Sequence, residues 1–585
     1  MSDQRTDKNN KDQGAGRFSS ARNTGKPAER RYGRPAPQGQ NPGRPAERRY
    51  GRPAPQGQNT GKPAERRYGR PAPEGQNTGR PAERRYGRPA PQGQNTGKPA
   101  ERRYGRPASQ DQNTGRPAER RYGRPAPAQN RPRVTERAQP ILSKDARVAA
   151  LLVLNRVLDG GAYASLSLDE VFQNMRLKPE DKRLAAVIVY KTVEDLMKID
   201  FALDQYLKDA QALTGKIRNI LRLSACQILL MDKIPDFAAT NEAVELTRAS
   251  GMEEMTGLVN GVLRSLIRGK DDLPWPKEGD ANYLSITHSV PQWLVDHLFA
   301  SYPADIAQQI IAYRNNSHAV TLRRNRVLVS EEEFDSLLAH KPWEIVPGRL
   351  PGVVRAKGVS DLGRDADFVN GKFSVQGEGS MMAVLALEPK VGMTVLDCCA
   401  APGGKTAYIA ELMQNTGREH AWDVHAHRVD LIYAQAERLR LYNIRPAVRD
   451  ATVYLERFDQ MMDAVLLDAP CSGTGVMDNK PDIKYRLTPE GLEELLTLQA
   501  KLLDVNARYV KPGGTLVYAT CSLLPQENEQ QVRSFLTVHP EFELLPLPAS
   551  IPGELSEKQG EYGLQLLPHR DDIDGFFIAK MRRKT

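Results

Sequence analysis

Two short apolar runs, Ala464–Leu467 and Thr515–Ala519, leave the last third of this chain little choice of architecture. Apolar runs of this length, with no polar alternation, read as strands buried on both faces of a parallel sheet. Between them lies a helical stretch with Thr488 as N-cap and Pro489 at the first helical position. Leu492, Leu495, Leu496, Leu502 and Leu503 fall on one face. Lys511-Pro512-Gly513-Gly514 is expected to stop this helix. A strand–helix–strand crossover brings both strand ends to the same edge of one sheet. Each run closes on a cysteine motif, Asp468-Ala469-Pro470-Cys471-Ser472-Gly473 and Ala519-Thr520-Cys521-Ser522. Open α/β sheets bind ligands at that carboxyl edge, so two thiols meeting there suggest covalent chemistry.

Further strands end on carboxylates. Met393–Leu396 leads into Asp397-Cys398-Cys399-Ala400-Ala401-Pro402-Gly403-Gly404-Lys405-Thr406 and then a helix. The run nearly matches a phosphate-binding P-loop but has Cys399 where the first glycine belongs, which argues against an NTPase. The other tight strand-to-helix turn of this kind receives a nucleoside cofactor. Strand Glu419–Trp422 ends in Asp423, where a ribose-binding carboxylate is expected, and Asp450 ends the next strand and can meet an adenine amino group. With Asp468, four consecutive strand ends carry an acid. From Met393 onward the alternation predicts a doubly wound α/β domain.

Five cysteines in 585 residues cannot form a disulfide framework, and four of them lie in the last third. Cys398 and Cys399 are adjacent, no C-x-x-C occurs, and His420, His425 and His427 do not complete a zinc spacing, so no metal is expected. Cys398 and Cys399 read as packing and cofactor-loop residues, Cys226 as helical core. The opening residues have no apolar h-region and no stretch reads as a membrane span, so a reduced, cytoplasmic setting is expected.

The net charge of +11 is unevenly spread: residues 1–130 carry about +18, leaving the remainder near −7. Six copies of an eighteen-residue unit, N-T-G-[KR]-P-A-E-R-R-Y-G-R-P-A-P-Q-G-Q, begin at Asn23, Asn41, Asn59, Asn77, Asn95 and Asn113. With almost no aliphatic side chain larger than alanine, residues 1–142 are expected to be a disordered basic tail. Its arginines and tyrosines suit non-specific RNA contact. Residues 143–272 read as an all-α domain, with Ser143 capping its first helix. A linker over 273–285 and a small α+β subdomain over 286–383 precede the catalytic domain, 384–585. The fold class is therefore multidomain.

The acidic strand ends and the two cysteine motifs resemble the motif series of the RNA cytosine-C5 methyltransferases. Leu322-Arg323-Arg324-Asn325, Phe373-Ser374-Val375-Gln376 and His288–Leu294 are similar to that family's preceding subdomain, and Pro568 with Asp574-Gly575-Phe576-Phe577 to its closing strand. Leu221-Arg222-Leu223, Ile234-Pro235 and Val259–Arg264 resemble a NusB-type RNA-binding domain. That layout is the one of bacterial small-subunit rRNA methyltransferases, and the resemblance spans roughly residues 143–585, outside the repeats. Where that family has tyrosine-glycine followed by an arginine, this chain has Tyr190-Lys191-Thr192-Val193-Glu194, which puts RNA contact by this domain in question.

The resemblance implies S-adenosylmethionine as cofactor, held by Cys399, Ala400, Ala401, Pro402, Gly403, Gly404, Lys405, Asp423, Arg428, Asp450 and Asp468. It implies a monomer acting on 16S rRNA, naked or in an early assembly intermediate, at cytosine 967 in the usual rRNA numbering. The residues alone leave open which thiol attacks the base. A Pro-Cys motif serves in DNA cytosine methyltransferases and points to Cys471; the resemblance assigns attack on C6 to Cys521 and product release to Cys471. Asp468 would engage the N3/N4 edge of cytosine, and Lys405 would lower the thiolate pKa or orient Asp468. The same chemistry on tRNA or 23S rRNA, and a non-catalytic ribosome-assembly factor, are the alternatives. Deleting residues 1–142 should weaken RNA affinity and flatten its salt dependence, with turnover on saturating substrate little changed; binding titrations across a salt series check this.

Overall fold

The computed structural model describes residues 145–209, 213, 215–315 and 319–585. The repeat tail, its expected disorder and the Ser143 cap lie outside the described residues. Asp145 instead caps the first described helix, accepting the Arg147 and Val148 N–H groups at 2.6 and 3.3 Å.

Helices α1 (Ala146–Leu154), α2 (Ala164–Asn174), α3 (Pro179–Glu194), α4 (Leu196–Asp204), α5 (Lys216–Leu230), α6 (Asp236–Ala249) and α7 (Thr256–Gly269) enclose one apolar core. Ala149, Ala150 and Leu154 of α1, Ile188 of α3, Leu203 of α4, Leu221 and Cys226 of α5 and Leu263 of α7 are fully buried in it. Burial pushes the Cys226 thiol up to about 12, which leaves it inert. The stretch after α7 has little regular structure but is pinned to these helices. Leu273 is buried among them, and Trp275 stacks on Phe201 at 5.6 Å.

Three helices follow, α8 (Tyr283–His288), α9 (Gln292–Ser301) and α10 (Ala304–Ala312). A four-stranded antiparallel sheet of order β2-β3-β1-β4 comes next, built from β1 (Val320–Arg324), β2 (Glu344–Pro347), β3 (Val353–Lys357) and β4 (Phe373–Val375), with α11 (Glu331–Ala339) and α12 (Ala366–Val369) between its strands. Ser330 and Glu333 form a reciprocal capping box at the start of α11.

The catalytic region begins with α13 (Glu378–Leu387), then β5 (Thr394–Asp397), α14 (Gly404–Leu412), β6 (Arg418–Asp423), α15 (Ala426–Leu439), β7 (Ile444–Val448), β8 (Met462–Asp468), α16 (Pro489–Ala507), β9 (Val510–Thr520) and α17 (Glu529–Val538). It closes with β10 (Phe542–Leu544), α18 (Gly553–Ser556), β11 (Leu564–Leu566), α19 (Pro568–Asp571) and β12 (Phe576–Arg583). The eight-stranded sheet runs β10-β12-β9-β8-β5-β6-β7, with β11 paired to β12. Strands β5 to β9 are parallel and β12 is antiparallel to β9, so the sheet is mixed and Rossmann-like. From β5 the chain winds outward through β6 and β7, then returns to β8 on the other side. The crevice between the β5 and β8 ends is thus the switch point at which doubly wound sheets bind ligands.

Helix α16 starts at Thr488, whose hydroxyl accepts the Gly491 N–H at 3.1 Å. Lys511–Gly514 does not stop it. The helix ends at Ala507, and those four residues form a bulge of β9 between the Met462–Val510 and Ala464–Thr515 pairs. Asp450 lies two residues beyond β7 rather than at its end.

A buried ion pair fastens the small sheet to the catalytic domain. Arg323 of β1 pairs with Glu411 of α14, donates to Gln376 Oε1 at 2.8 Å and lies over the Tyr408 ring at 4.4 Å. Both charged side chains are almost wholly removed from solvent. Removing one partner strands the other charge, so Glu411→Ala should cost about 3–5 kcal/mol in urea denaturation, and Glu411→Leu with Arg323→Leu should recover much of that loss.

Candidate active site

Parallel pairing assembles the site. Asp397 of β5 stands opposite Leu466 of β8, and Asp468 of β8 opposite Ala519 of β9. The turns leaving β8 and β9 bring Cys471 and Cys521 together, with Sγ atoms 3.3 Å apart. Lys405, in the first turn of α14, reaches across the crevice and donates to Asp468 Oδ2 at 2.5 Å. Its ammonium also sits 5.3 Å from the Phe576 ring centroid. Burial opposes the lysine's charge, but Asp468, with Cys521 and Asp397, outweighs it and holds the pKa above the ordinary value. The thiols are unequal. The hydrogen bond with Cys471 holds Cys521 below its usual value, supported by Lys405 and Lys480. The same bond and burial push Cys471 well up.

Close backbone approach makes this geometry tight. Gly475 donates its N–H to the Cys521 carbonyl at 2.9 Å and accepts from Gly575 at 2.8 Å. A Cβ on Gly475 would come within 2.1 Å of the Gly575 oxygen, so only glycine fits there.

The other cofactor-loop residues lie on the far side of Lys405. The turn from Cys399 to Gly404 is held by the Ala400 N–H on the Trp422 carbonyl and the Gly403 N–H on the Ala400 carbonyl, both at 2.8 Å. Ala400 and Ala401 are buried and Pro402 is exposed. Gly403 has φ of +103° and a Cβ there would meet the α15 backbone, which explains the glycine. Arg428 bridges strand and loop, pairing with Asp423 at 3.3 Å and donating to the Ala401 carbonyl at 3.0 Å. Asp450 is exposed and accepts from the Thr452 N–H and hydroxyl at 2.9 and 2.7 Å. Burial, then Asp397, raises the Cys399 thiol, and burial raises Cys398 in the core, which favours the protonated form of both.

Asp397 is buried, and Thr406 donates to its Oδ2 at 2.8 Å while Oδ1 has no hydrogen-bond partner. Burial raises its pKa to about 7. An acid left one bond short, beside a turn with exposed Pro402 and the acids Asp423, Asp450 and Asp468, fits a cationic nucleoside cofactor such as a sulfonium.

Four features were not visible in the sequence reading: the Arg428 bridge, the Gly475–Gly575 crossing, the buried Glu527 behind both cysteines, and the inward orientation of Glu194. Repetition of Cys-Ser in both motifs was the one signal for Glu527. Glu194 pairs with Arg314 at 3.2 Å, and its carbonyl accepts from Lys484 Nζ at 2.9 Å. Burial lowers Lys484 to about 7, the nearby Arg314 adding to the effect. The end of α3 therefore grips the segment that follows Cys471.

Fold and site together define an S-adenosylmethionine-dependent methyltransferase. Comparison with known proteins narrows this. Residues 384–582 match the model of the 16S rRNA methyltransferase RsmB/F family, and residues 144–268 that of the NusB family. The chain is 37% identical over 442 residues to the probable ribosomal RNA small subunit methyltransferase B of Bacillus subtilis (strain 168), covering 75% of this chain and 98% of that one. It is 35% identical over 445 residues to ribosomal RNA small subunit methyltransferase B of Sodalis glossinidius, covering 75% and 98%. The crystal structure of PH0851 superposes with a TM-score of 0.67 at 28% identity, over 76% of this chain and all of that one. This chain belongs to the ribosomal RNA small subunit methyltransferase B family. Among the described residues no helix is long and apolar enough to cross a membrane.

Behind the cofactor turn, Glu419 of β6 is buried with neither carboxylate oxygen hydrogen-bonded, and burial, with the charge of Asp397, raises its pKa well above the ordinary value. The folded state keeps this proton when the unfolded chain has lost it, so stability falls as pH rises above the unfolded value. Glu419→Gln should therefore show a smaller drop in melting temperature between about pH 5 and pH 8 than the unsubstituted protein.

Proposed function

We propose that this protein methylates C5 of a cytosine in 16S rRNA through a covalent adduct between Cys521 and C6 of the base. The observation that carries this reading is the contact of two unequal thiols beside the Lys405–Asp468 pair, at the switch point of the sheet. C5 of cytosine is a weak nucleophile. Addition of a thiolate at C6 moves electron density to C5, and expulsion of the thiolate with loss of the C5 proton later restores the aromatic ring.

Cys521 is the attacking thiol, since its neighbours favour the thiolate. Cys471 keeps its proton during attack and serves in release of the product. Asp468, oriented by Lys405, engages the N3/N4 edge and selects cytosine over uracil. Cys399, Ala400, Ala401, Pro402, Gly403, Gly404, Lys405, Asp423, Arg428, Asp450 and Asp468 hold S-adenosylmethionine. When bound, the cofactor supplies an electrophilic methyl group. The target cytosine must be unpaired or flipped out to reach the crevice, so a loop of the RNA is the substrate, at cytosine 967 by family resemblance. The helical domain binds RNA, the basic tail adds non-specific affinity, and the enzyme works in the cytoplasm as a monomer on naked rRNA or an early assembly intermediate.

Transfer of labelled methyl to protein-free small-subunit rRNA tests the reading. The unsubstituted protein should label 5-methylcytosine, Cys521→Ala should lose at least about three orders of magnitude in rate, and Cys471→Ala should accumulate a covalent protein–RNA complex. Label in tRNA or 23S rRNA instead would keep the chemistry and change the substrate. Cofactor and RNA binding without any labelling would favour an assembly factor.

A further inference from the structure

One carboxylate at the centre of the cysteine turns has no part in the chemistry above. Glu527 is fully buried, six residues after Cys521, and its hydrogen-bond partners are all neutral. Its Oε1 accepts the Ser472 backbone N–H at 2.8 Å and Gln499 Nε2 at 2.9 Å. Its Oε2 accepts the hydroxyls of both Ser472 and Ser522. Ser472 follows Cys471 directly, and Ser522 follows Cys521. One group therefore clasps the residue after each cysteine, and one residue upstream the two sulfurs are in contact. Gln499 ties the clasp to α16 and to the Pro470 carbonyl at 2.9 Å, and Thr474 adds a hydroxyl contact to each serine.

A neutral network would hold two turns together without the cost of burying a charge. The charge also has a one-sided position. Glu527 takes two bonds from Ser472, its backbone N–H and its hydroxyl, and one from the hydroxyl of Ser522. We propose that Glu527 is a positioning residue for methyl transfer, its carboxylate holding the two cysteine turns in register and its charge assigning their shared proton to Cys471. The pKa directions agree, because Glu527 is among the groups that raise Cys471. The inference rests on the reading of Cys521 as nucleophile and Cys471 as its partner.

Glu527→Gln in the full-length protein removes the charge and keeps the shape, since its amide can donate to the serine hydroxyls. Three readouts are needed: melting temperature with S-adenosylmethionine affinity, the pH profile of Cys521 and Cys471 alkylation by iodoacetamide, and kcat and KM on small-subunit rRNA. The expected result is affinity within about twofold, Cys521 alkylation about tenfold slower near neutral pH with a larger share on Cys471, and kcat about tenfold lower with KM nearly unchanged. An unchanged alkylation profile in a folded variant would overturn the proposal. So would a kcat loss matched by an equal loss of cofactor affinity, which marks a purely structural role.

If Glu527→Gln does not fold, Ser472→Ala with Ser522→Ala tests the clasp while keeping the charge. A lower kcat with an unshifted alkylation profile is expected, and an unchanged kcat overturns the clasp. Alkylation needs no RNA. A failure of methyl transfer in the unsubstituted protein would therefore sink the enzymatic reading while the thiol measurement still decides what Glu527 does.

Discussion

Parallel pairing of β8 with β5 on one side and β9 on the other is the constraint on which the site depends. Register is strongly specified in strands buried on both faces, because a one-residue slip would turn every side chain to the opposite face. The pairing carries Asp397, Asp468 and the turn holding Cys521 to one edge, at the point where the winding reverses. Everything polar there is arranged against a largely apolar floor of Leu396, Val465, Leu466 and Val517. Water is displaced from the strands, so the Lys405–Asp468 pair and the thiol–thiol contact act in a medium of low polarity, where charges shift their neighbours' protonation strongly.

The remaining domains are fastened to this edge. The buried Arg323–Glu411 pair holds the small sheet against α14, the helix that presents Lys405. On the other side, Glu194 and Ser289 receive Lys484 and Tyr485 from the segment that follows the Cys471 turn. Leu523 and Leu524, just beyond Cys521, pack with Leu294, Leu298 and Ile311 of α9 and α10. Each cysteine turn is thus braced by an element outside the Rossmann-like sheet. Glu194, at the end of α3, pairs with Arg314 just beyond α10 and so joins the first domain to the small α+β subdomain.

Much of the architecture was legible in local pattern. The all-α character of the first domain follows from apolar periodicity, and α16 from its Thr488-Pro489 start, but α2 and the break between α3 and α4 do not. Strand positions followed from short apolar runs bounded by glycine and aspartate. Lys511-Pro512-Gly513-Gly514 has the composition of a helix stop, yet α16 ends earlier, and β9 already pairs with β8 at Val510 and absorbs those residues as a bulge. Asp450 lies beyond its strand for a similar reason: pairing to β6 ends at Val448, and composition does not mark that.

By itself the sequence determined that Asp397, Asp423 and Asp468 lie at strand ends, because burial of both faces favours apolar runs that stop at a polar residue. It also determined that Cys471 and Cys521 share one edge, since strands joined by a helical crossover run in the same direction. Only the tertiary structure decided that their sulfurs touch, that Lys405 is bound to Asp468, that Arg428 ties Asp423 to the cofactor turn, and that Glu527 stands behind both thiols. Those relations join residues of different elements across distances set by packing, and no periodicity along the chain encodes them.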